Sequence, residues 1–298
     1  MPNIWKFVIA LLGLTLITAF SALFSLPDEN LKLIACDVGQ GDAFLAVYKN
    51  NQILIDGGPD RKVLDCLAKY IPFWDKNIEV VVLTHPQDDH YGGLIDVFRS
   101  YNVDTFVANG VDSSTQGYQL LKNIVGGSSA RVVNPIEDTS IRLGLLHLDI
   151  LNPSDKLIAE NNSSTQSGVL GAYTTNRDLN DFSVVATLSL GEFDALLTGD
   201  IGPEISNLVA EKMDQKTNQS IEYLKVPHHG SKNGLSLKLL ETITPDLAVI
   251  SVGNKNRYGH PHLEIIKMLE ENGVQIFRTD EVGDVILESD GQNYWIKK

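Results

Sequence analysis

At 298 residues, 43% hydrophobic and 21% charged, the chain has the composition of an ordinary globular protein; this excludes a disordered or low-complexity polymer and allows one large domain or two small ones. A formal net charge of −14 excludes the broad basic footprint that grips DNA or RNA nonspecifically, but leaves open a polyanionic substrate held through a bound cation. Cys36 and Cys66 are the only cysteines, too few for a zinc framework; their surroundings read as two buried thiols, and sequence leaves their pairing open.

The first predicted element is an N-terminal helix. Phe7 to Phe24 is uncharged and mostly apolar, and a run of about 18 such residues is the lower limit for crossing a bilayer. Lys6 precedes it while Asp28 and Glu29 follow. The asymmetry predicts a membrane anchor or signal segment over residues 1–30, with residues 31–298 outside the cytoplasm, membrane-anchored or secreted. Strands are predicted next at LKLIAC, AFLAVY, QILID, EVVVLT and DTFVAN, then at FSVVATLSL, DALLTG, EYLKV, DLAVISV, VQIFRT, DVILES and NYWIK. Helical periodicity marks RKVLDCLAKY, GLIDVFRSY, IGPEISNLVAEKM, LSLKLLETI and LEIIKMLEEN. The mixture implies sheets layered with helices, an α/β (α+β) class. The polar stretch AENNSSTQSGVLGAYTTNRDLND, ending at Asp181, predicts a long mobile loop.

Two segments share one plan. NNQILIDGGPD (Asn50 to Asp60) and GEFDALLTGDIG (Gly191 to Gly202) each read as a hairpin strand, a terminal Asp beside Gly, then a helix. Each helix leads to a strand ending in histidine, EVVVLTHPQDDH in the first case and EYLKVPHHGS in the second. Two such units packed sheet to sheet would bring Asp56, Asp200 and both histidine clusters to one edge.

Six of the seven histidines fall in three pairs, His85/His90, His228/His229 and His260/His262, each after a strand-like run and beside Gly. His147 alternates with leucines and reads as an exposed strand residue. A single histidine is more often a satisfied core or surface residue than a ligand. Three clusters at strand ends, joined by Asp56, Asp89 and Asp200, instead point to a metal centre, because imidazole and carboxylate are the usual ligands of borderline divalent ions.

HPQDDHYGG resembles the HxHxDH signature of the metallo-β-lactamase superfamily, and the finer motifs look like the hydrolase domain of the ComEC family of competence proteins. Those motifs are DVGQGDA, ILIDGGP, LTHPQDDHYGGL, NDFSVV, LLTGD, LKVPHHGS and AVISVGNKNRYGHPH, in that order, covering the chain from about residue 31 onward. The resemblance implies an αββα four-layer sandwich forming a hydrolase domain over residues 31–298, with one or two divalent ions, Zn or Mn, between the sheets. It implies that His85 ligates one ion, that Asp89, His90 and His229 ligate the other, and that Asp200 bridges. Asp56 is expected to orient a histidine ligand, with Asp37, Gln40 and Asp42 in a neighbouring loop. Gln87 stands where a His or Asp is expected, so the first ion would be loosely held. The superfamily's third histidine has no counterpart before Asp200; Asn180-Asp181-Phe182-Ser183 takes its place, as in ComEC-like chains.

The function so implied is that of an extracytoplasmic phosphodiesterase, a nuclease acting on DNA through a water activated by the metal. Asp89 and Asp200 would orient the nucleophile, and His260 would hold the phosphate or protonate the leaving oxygen. His228, Ser231, Lys232 and His262 would stand nearby as further phosphate-binding or supporting groups. The ComEC family's polytopic channel portion is absent from this sequence, so separate channel or uptake proteins are expected partners. The alternatives are a hydrolase of another phosphodiester, a lactone or a lactam, which the negative charge favours, and a degenerate binding module, which Gln87 keeps open.

Overall fold

Alternation along the strands sets the layers. The computed structural model describes residues 2–23, 29–161, 168–215 and 220–297. Helix α1 (Pro2–Leu23) leads, followed by β1 (Leu31–Ala35), β2 (Phe44–Tyr48), β3 (Asn51–Ile55), α2 (Lys62–Tyr70) and β4 (Asn77–Leu83). Then come α3 (Asp88–Tyr91), α4 (Leu94–Ser100), β5 (Asn102–Ala108), α5 (Gln116–Gly126) and β6 (Arg131–Val133). The second half carries β7 (Ser140–Leu143), β8 (Leu146–Asn152), α6 (Asp155–Asn161), β9 (Val185–Leu190), β10 (Phe193–Leu197), α7 (Pro203–Gln215) and β11 (Tyr223–Lys225). It closes with α8 (Leu237–Ile243), β12 (Leu247–Ile250), α9 (Leu263–Glu271), β13 (Gln275–Arg278), α10 (Thr279–Val282), β14 (Val285–Ser289) and β15 (Tyr294–Lys297).

Two sheets result, ordered β15-β14-β1-β2-β3-β4-β5-β6 and β13-β12-β11-β10-β9-β8-β7. Leu31, Leu33 and Ala35 of the first sheet meet Leu148, Leu188 and Ala195 of the second in a core between the sheets. The alternate residues, such as Ile34, Leu45 and Val81, pack outward on Val63, Leu94 and Leu121 of α2, α4 and α5. Leu196, Leu224 and Ala248 do the same against Val209, Leu240 and Ile265 of α7, α8 and α9. Strands covered on both faces carry apolar side chains at nearly every position, which is why they read so plainly in the sequence. The architecture is the αββα sandwich.

The shared plan of the two halves is present in the pairing. β2–β3 and β9–β10 are antiparallel hairpins, and β3–β4–β5 and β10–β11–β12 continue each as parallel strands. Parallel neighbours require a crossover, supplied by α2 in one half and α7 in the other. The parallel strands β3, β4, β10 and β11 all run out towards one edge, and the candidate ligands follow their last residues.

Two sequence expectations change. Cys36 and Cys66 are joined in a disulfide that ties the end of β1 to α2, with Cα atoms 5.9 Å apart, not held as two thiols. β1 and α2 lie in contact in the outer core of the first sheet, which brings the two side chains within reach. α1 lies within the segment expected as an anchor or signal; among the described residues no helix is long and apolar enough to cross a membrane. Residues 24–28 of the expected segment lie outside the described residues. The polar stretch before Asp181 is not one loop: α6 runs to Asn161, Tyr173 pairs with Val111, and a 3-10 turn spans Leu179–Phe182. Asp178 caps that turn by accepting from the Asn180 backbone N–H at 3.0 Å. Residues 162–167 of the stretch lie outside the described residues.

Candidate metal centre

Each candidate ligand stands just beyond the C-terminal end of a strand, the edge where open α/β sheets bind ligands. Asp56 follows β3 in the left-handed region at φ 60°. His85 follows β4, and α3 then turns Asp89 and His90 back over that edge. Gly92 and Gly93 let α3 lie against the IDGGP loop: a Cβ on Gly93 would sit 2.0 Å from the Gly57 carbonyl oxygen. In the second sheet Asp200 follows β10 and His229 follows β11. His228 and His229 both hold positive φ, 52° and 53°, a strained conformation that persists where the surroundings impose it.

Thr84 organises the first half. Its backbone N–H and hydroxyl donate to the two oxygens of Asp56 at 2.8 and 2.7 Å. That leaves its hydroxyl oxygen to accept from His85 Nδ1 at 3.0 Å. Asp56 Oδ2 also lies 2.7 Å from His90 Nδ1, so the carboxylate fixes the ring and directs Nε2 into the site, as expected of it. In the second half His229 Nδ1 donates to the Ser251 carbonyl at 2.9 Å, and Ser251 Oγ donates to the Gly41 carbonyl at 2.7 Å. His90 Nε2 and His229 Nε2 approach Asp200 Oδ2 at 3.3 and 3.2 Å, and His229 Nε2 lies 3.4 Å from Asp89 Oδ2.

One ligand atom each from Asp89, His90, Asp200 and His229 falls within 4.8 Å of all the others. The Nε2 atoms of His85, His90 and His229 are buried with no hydrogen-bond partner. Buried ring nitrogens are rarely left so, and lone pairs converging beside two carboxylates fit a divalent cation. Burial opposes charge on His90 and His229, but Asp200 with Asp56 or Asp42 outweighs it and raises both imidazoles well above their ordinary value, so the carboxylates favour a positive charge at Nε2 that a divalent ion would supply in place of the proton. Burial and the neighbouring His90 charge push His85 down to about 3, so it is a neutral donor at pH 7. Burial opposes ionisation of Asp200, yet His229, His90 and Lys225 hold its carboxyl well below the usual range.

His85 stands apart from the group of four. Its ring centroid is 4.1 Å from that of His90, its Nδ1 is paired with the Thr84 hydroxyl, and the neutral side chain of Gln87 is nearby. Asn180, in the segment standing for the missing third histidine, is buried with its Oδ1 unpartnered. Ser183 of the same segment accepts from the Asp200 backbone N–H at 3.3 Å. His260 packs 6.4 Å from His229 with rings 29° apart, its Nδ1 buried and unpartnered. Burial, then the His229 and His228 charges, lower it to about 4. His228 and His262 flank His260 at 5.7 and 5.0 Å between centroids. His262 Nδ1 accepts from the Lys232 backbone N–H at 3.3 Å, while Ser231 is buried and its Oγ accepts from Asn233. Asp37 is not part of the cluster. It lines a separate cavity of about 830 Å³ with Lys69, Tyr70 and Asp284.

Lys225 was not anticipated. It is 1% exposed, donates to the Gly199 carbonyl at 2.6 Å and to Asp200 Oδ1 at 3.2 Å, and is ion-paired with Asp42. Asp42, whose Oδ1 lies 3.3 Å from His229 Nδ1, thereby becomes a member of the centre and not only of its neighbouring loop. Burial opposes the ammonium, but Asp42 and Asp200 raise it, so it stays charged. With Oδ1 spent on Lys225, Asp200 turns Oδ2 towards the histidines. The signal was alternation: Lys225 shares a strand face with Tyr223, which lies in the intersheet core.

The sequence model of the family described as "Metallo-beta-lactamase superfamily" matches residues 36–254. Among curated proteins, "ComE operon protein 3" of Bacillus subtilis is 25% identical over 268 residues, covering 84% of this chain and 32% of its own length. "Recombination protein 2" of Haemophilus influenzae is 27% identical over 268 residues, with 84% of this chain and 28% of its own length covered. The chain thus spans about a third or less of these relatives. Among solved structures, the metallo-β-lactamase fold protein YhfI from Bacillus subtilis superposes with a TM-score of 0.54 at 11% identity, covering 91% of this chain and all of its own. The diiron β-hydroxylase CmlA from Streptomyces venezuelae gives 0.54 at 13% identity, covering 88% of this chain and 55% of its own.

Proposed function

The chain belongs to the metallo-β-lactamase superfamily, and from that premise we propose that it is a metal-dependent phosphodiesterase, a nuclease acting on DNA outside the cytoplasm. One observation carries the reading: Asp89, His90, Asp200 and His229 converge with unpartnered, buried ring nitrogens. When bound, a divalent ion supplies a polarised phosphoryl oxygen and an activated water. The chain's own groups do the rest. Asp56 and Ser251 hold the two histidine rings, Lys225 holds Asp200, and neutral His260 stands beside His229 to hydrogen-bond a phosphate oxygen. The DNA substrate is supported by the similarity to competence and recombination proteins, although these are matched over only part of their length. The Cys36–Cys66 disulfide supports an oxidising, extracytoplasmic compartment.

The test is hydrolysis by the purified chain, with Mn²⁺ or Zn²⁺ added, of single-stranded DNA, bis-p-nitrophenyl phosphate and a lactone. Cleavage of both phosphodiesters, abolished by chelation and by His229→Ala, is the expected result. Cleavage of bis-p-nitrophenyl phosphate without DNA would move the substrate to another phosphodiester, which the charge of −14 favours. Metal binding with no hydrolysis of any substrate would make the chain a binding module.

A further inference from the structure

Beside the metal ligands lies a cavity of about 470 Å³ whose walls include Gln40, Asp89, Lys255, Asn256, Arg257 and Tyr258. In a chain of net charge −14, two cations here flank an aromatic ring, on a part of the cavity wall distant in sequence from Asp88 and the metal ligand Asp89 that also line it. Tyr258 is 52% exposed and belongs to none of the hydrophobic clusters, so packing of the fold does not account for it. Its ring lies 5.6 Å from that of His260 at 24°, and His260 in turn lies 6.4 Å from His229 at 29°. Near-parallel rings therefore step outward from the metal ligand to solvent.

The loop presenting this ring is held in place. Asn256 donates to the Gly253 and His260 carbonyls at 3.0 and 2.7 Å, and its Oδ1 accepts from the Tyr258 and His260 backbone N–H groups at 3.2 and 3.0 Å. Arg257 lies 5.2 Å from the Tyr258 ring centroid and donates to its hydroxyl at 3.2 Å. A fixed aromatic surface carrying a guanidinium, beside a site for a phosphoryl group, suits a ligand that combines flat rings with repeated negative charge.

We propose that Tyr258 and Arg257 form a nucleobase-stacking subsite, with Lys255 beside it for the flanking phosphate, so that the centre acts on unpaired nucleic acid strands. This rests on the phosphodiesterase reading above. Bases inside a duplex are already stacked and cannot reach the ring, whereas a splayed base next to the scissile phosphate can. Lys255 and Arg257 would meet the backbone charge that the acidic remainder of the surface repels.

Two p-nitrophenyl phosphodiesters with the same leaving group test it: one esterified to the 5′ oxygen of thymidine, the other to methanol. Wild-type kcat/KM should favour the thymidine ester by about tenfold, mainly through KM, the scale of one stacked base. Tyr258→Ala should bring that ratio near one, and Tyr258→Trp should keep it. Binding reads the same surface without cleavage. By fluorescence anisotropy, oligothymidylate should bind about tenfold more tightly than an abasic strand of equal length, and Tyr258→Ala should erase the difference. Hydrolysis of both esters at equal kcat/KM, with equal binding of the two strands, would overturn the subsite alone. Hydrolysis of neither ester, with the strand preference intact, would overturn the phosphodiesterase reading and leave the stacking surface standing.

Discussion

Replacing Lys225 with methionine keeps an unbranched side chain one atom shorter and removes its charge. Asp42 and Asp200, each 1% exposed, would then face one another in the interior without the ammonium between them. Breaking a buried pair in this way costs about 3–5 kcal/mol, chiefly through the charges left unpaired. Denaturant unfolding should show that loss for Lys225→Met and a partial recovery when Asp42→Asn is added. Gln87 is the complementary case. Its amide contributes no charge beside His85, while the other four ligands bring two carboxylates, so one ion should bind tightly and a second weakly. Gln87→Asp should raise the affinity of the second ion in a calorimetric titration. Two tightly held ions in the wild type would show that Gln87 is not at a ligand position. Most of these residues were legible because six histidines and their aspartates sit where apolar runs stop, a place a packed core does not fill with lone pairs. Lys225 was not, since a lysine inside EYLKV resembles any residue on the solvent face of a strand until its register is known.

At the scale of elements, α3 and the IDGGP loop work as one unit because two glycines remove the space between them. Gly93→Ala would place a methyl 2.0 Å from the Gly57 oxygen and 2.4 Å from the Asp60 oxygen, both backbone atoms that cannot swing aside. The helix must move, and with it His90 from its 2.7 Å contact with Asp56. Overpacking of this kind costs about 1–3 kcal/mol. Thermal melts should show the loss, and also a smaller rise in Tm on adding metal than in the wild type. A second junction joins β14 to α2. Asp284 accepts from the Asp37 backbone N–H, Lys69 and Tyr70, each at 2.9 Å. Burial opposes its charge, but these donors hold its carboxyl below the ordinary value. A depressed carboxylate stabilises the fold above the unfolded pKa of about 3.9 and stops doing so as pH falls through the folded value. Asp284→Asn should therefore cost about 1 kcal/mol at neutral pH, a figure kept small because Lys69 is exposed, and in urea melts the difference should begin to shrink below about pH 4 and vanish only below the folded value.

For the whole molecule, the twelve strands read from sequence are all present, because strands buried on both faces leave long apolar runs. What escaped was weaker in pattern. β6 is three residues, β7 alternates Ser, Ile, Arg and Leu on a sheet edge, and α5 mixes Gly, Tyr, Gln and Asn into its helical period. The disulfide escaped because a strand pattern and a helix pattern say nothing about which ends meet. Topology adds a consequence in time. Leu31 pairs with Ser289, and β1 has β14 as one neighbour, although almost the whole chain lies between them. Contacts of such separation bear the largest loop-closure entropy and form late. His85, Asp89, His90, Asp200 and His229 all leave the ribosome before β14 does. The ligand edge is therefore complete in sequence before the two strands that close the flank of the first sheet at β1, so the site and the sheet edge that shelters it are joined only by the longest-range pairing in the fold.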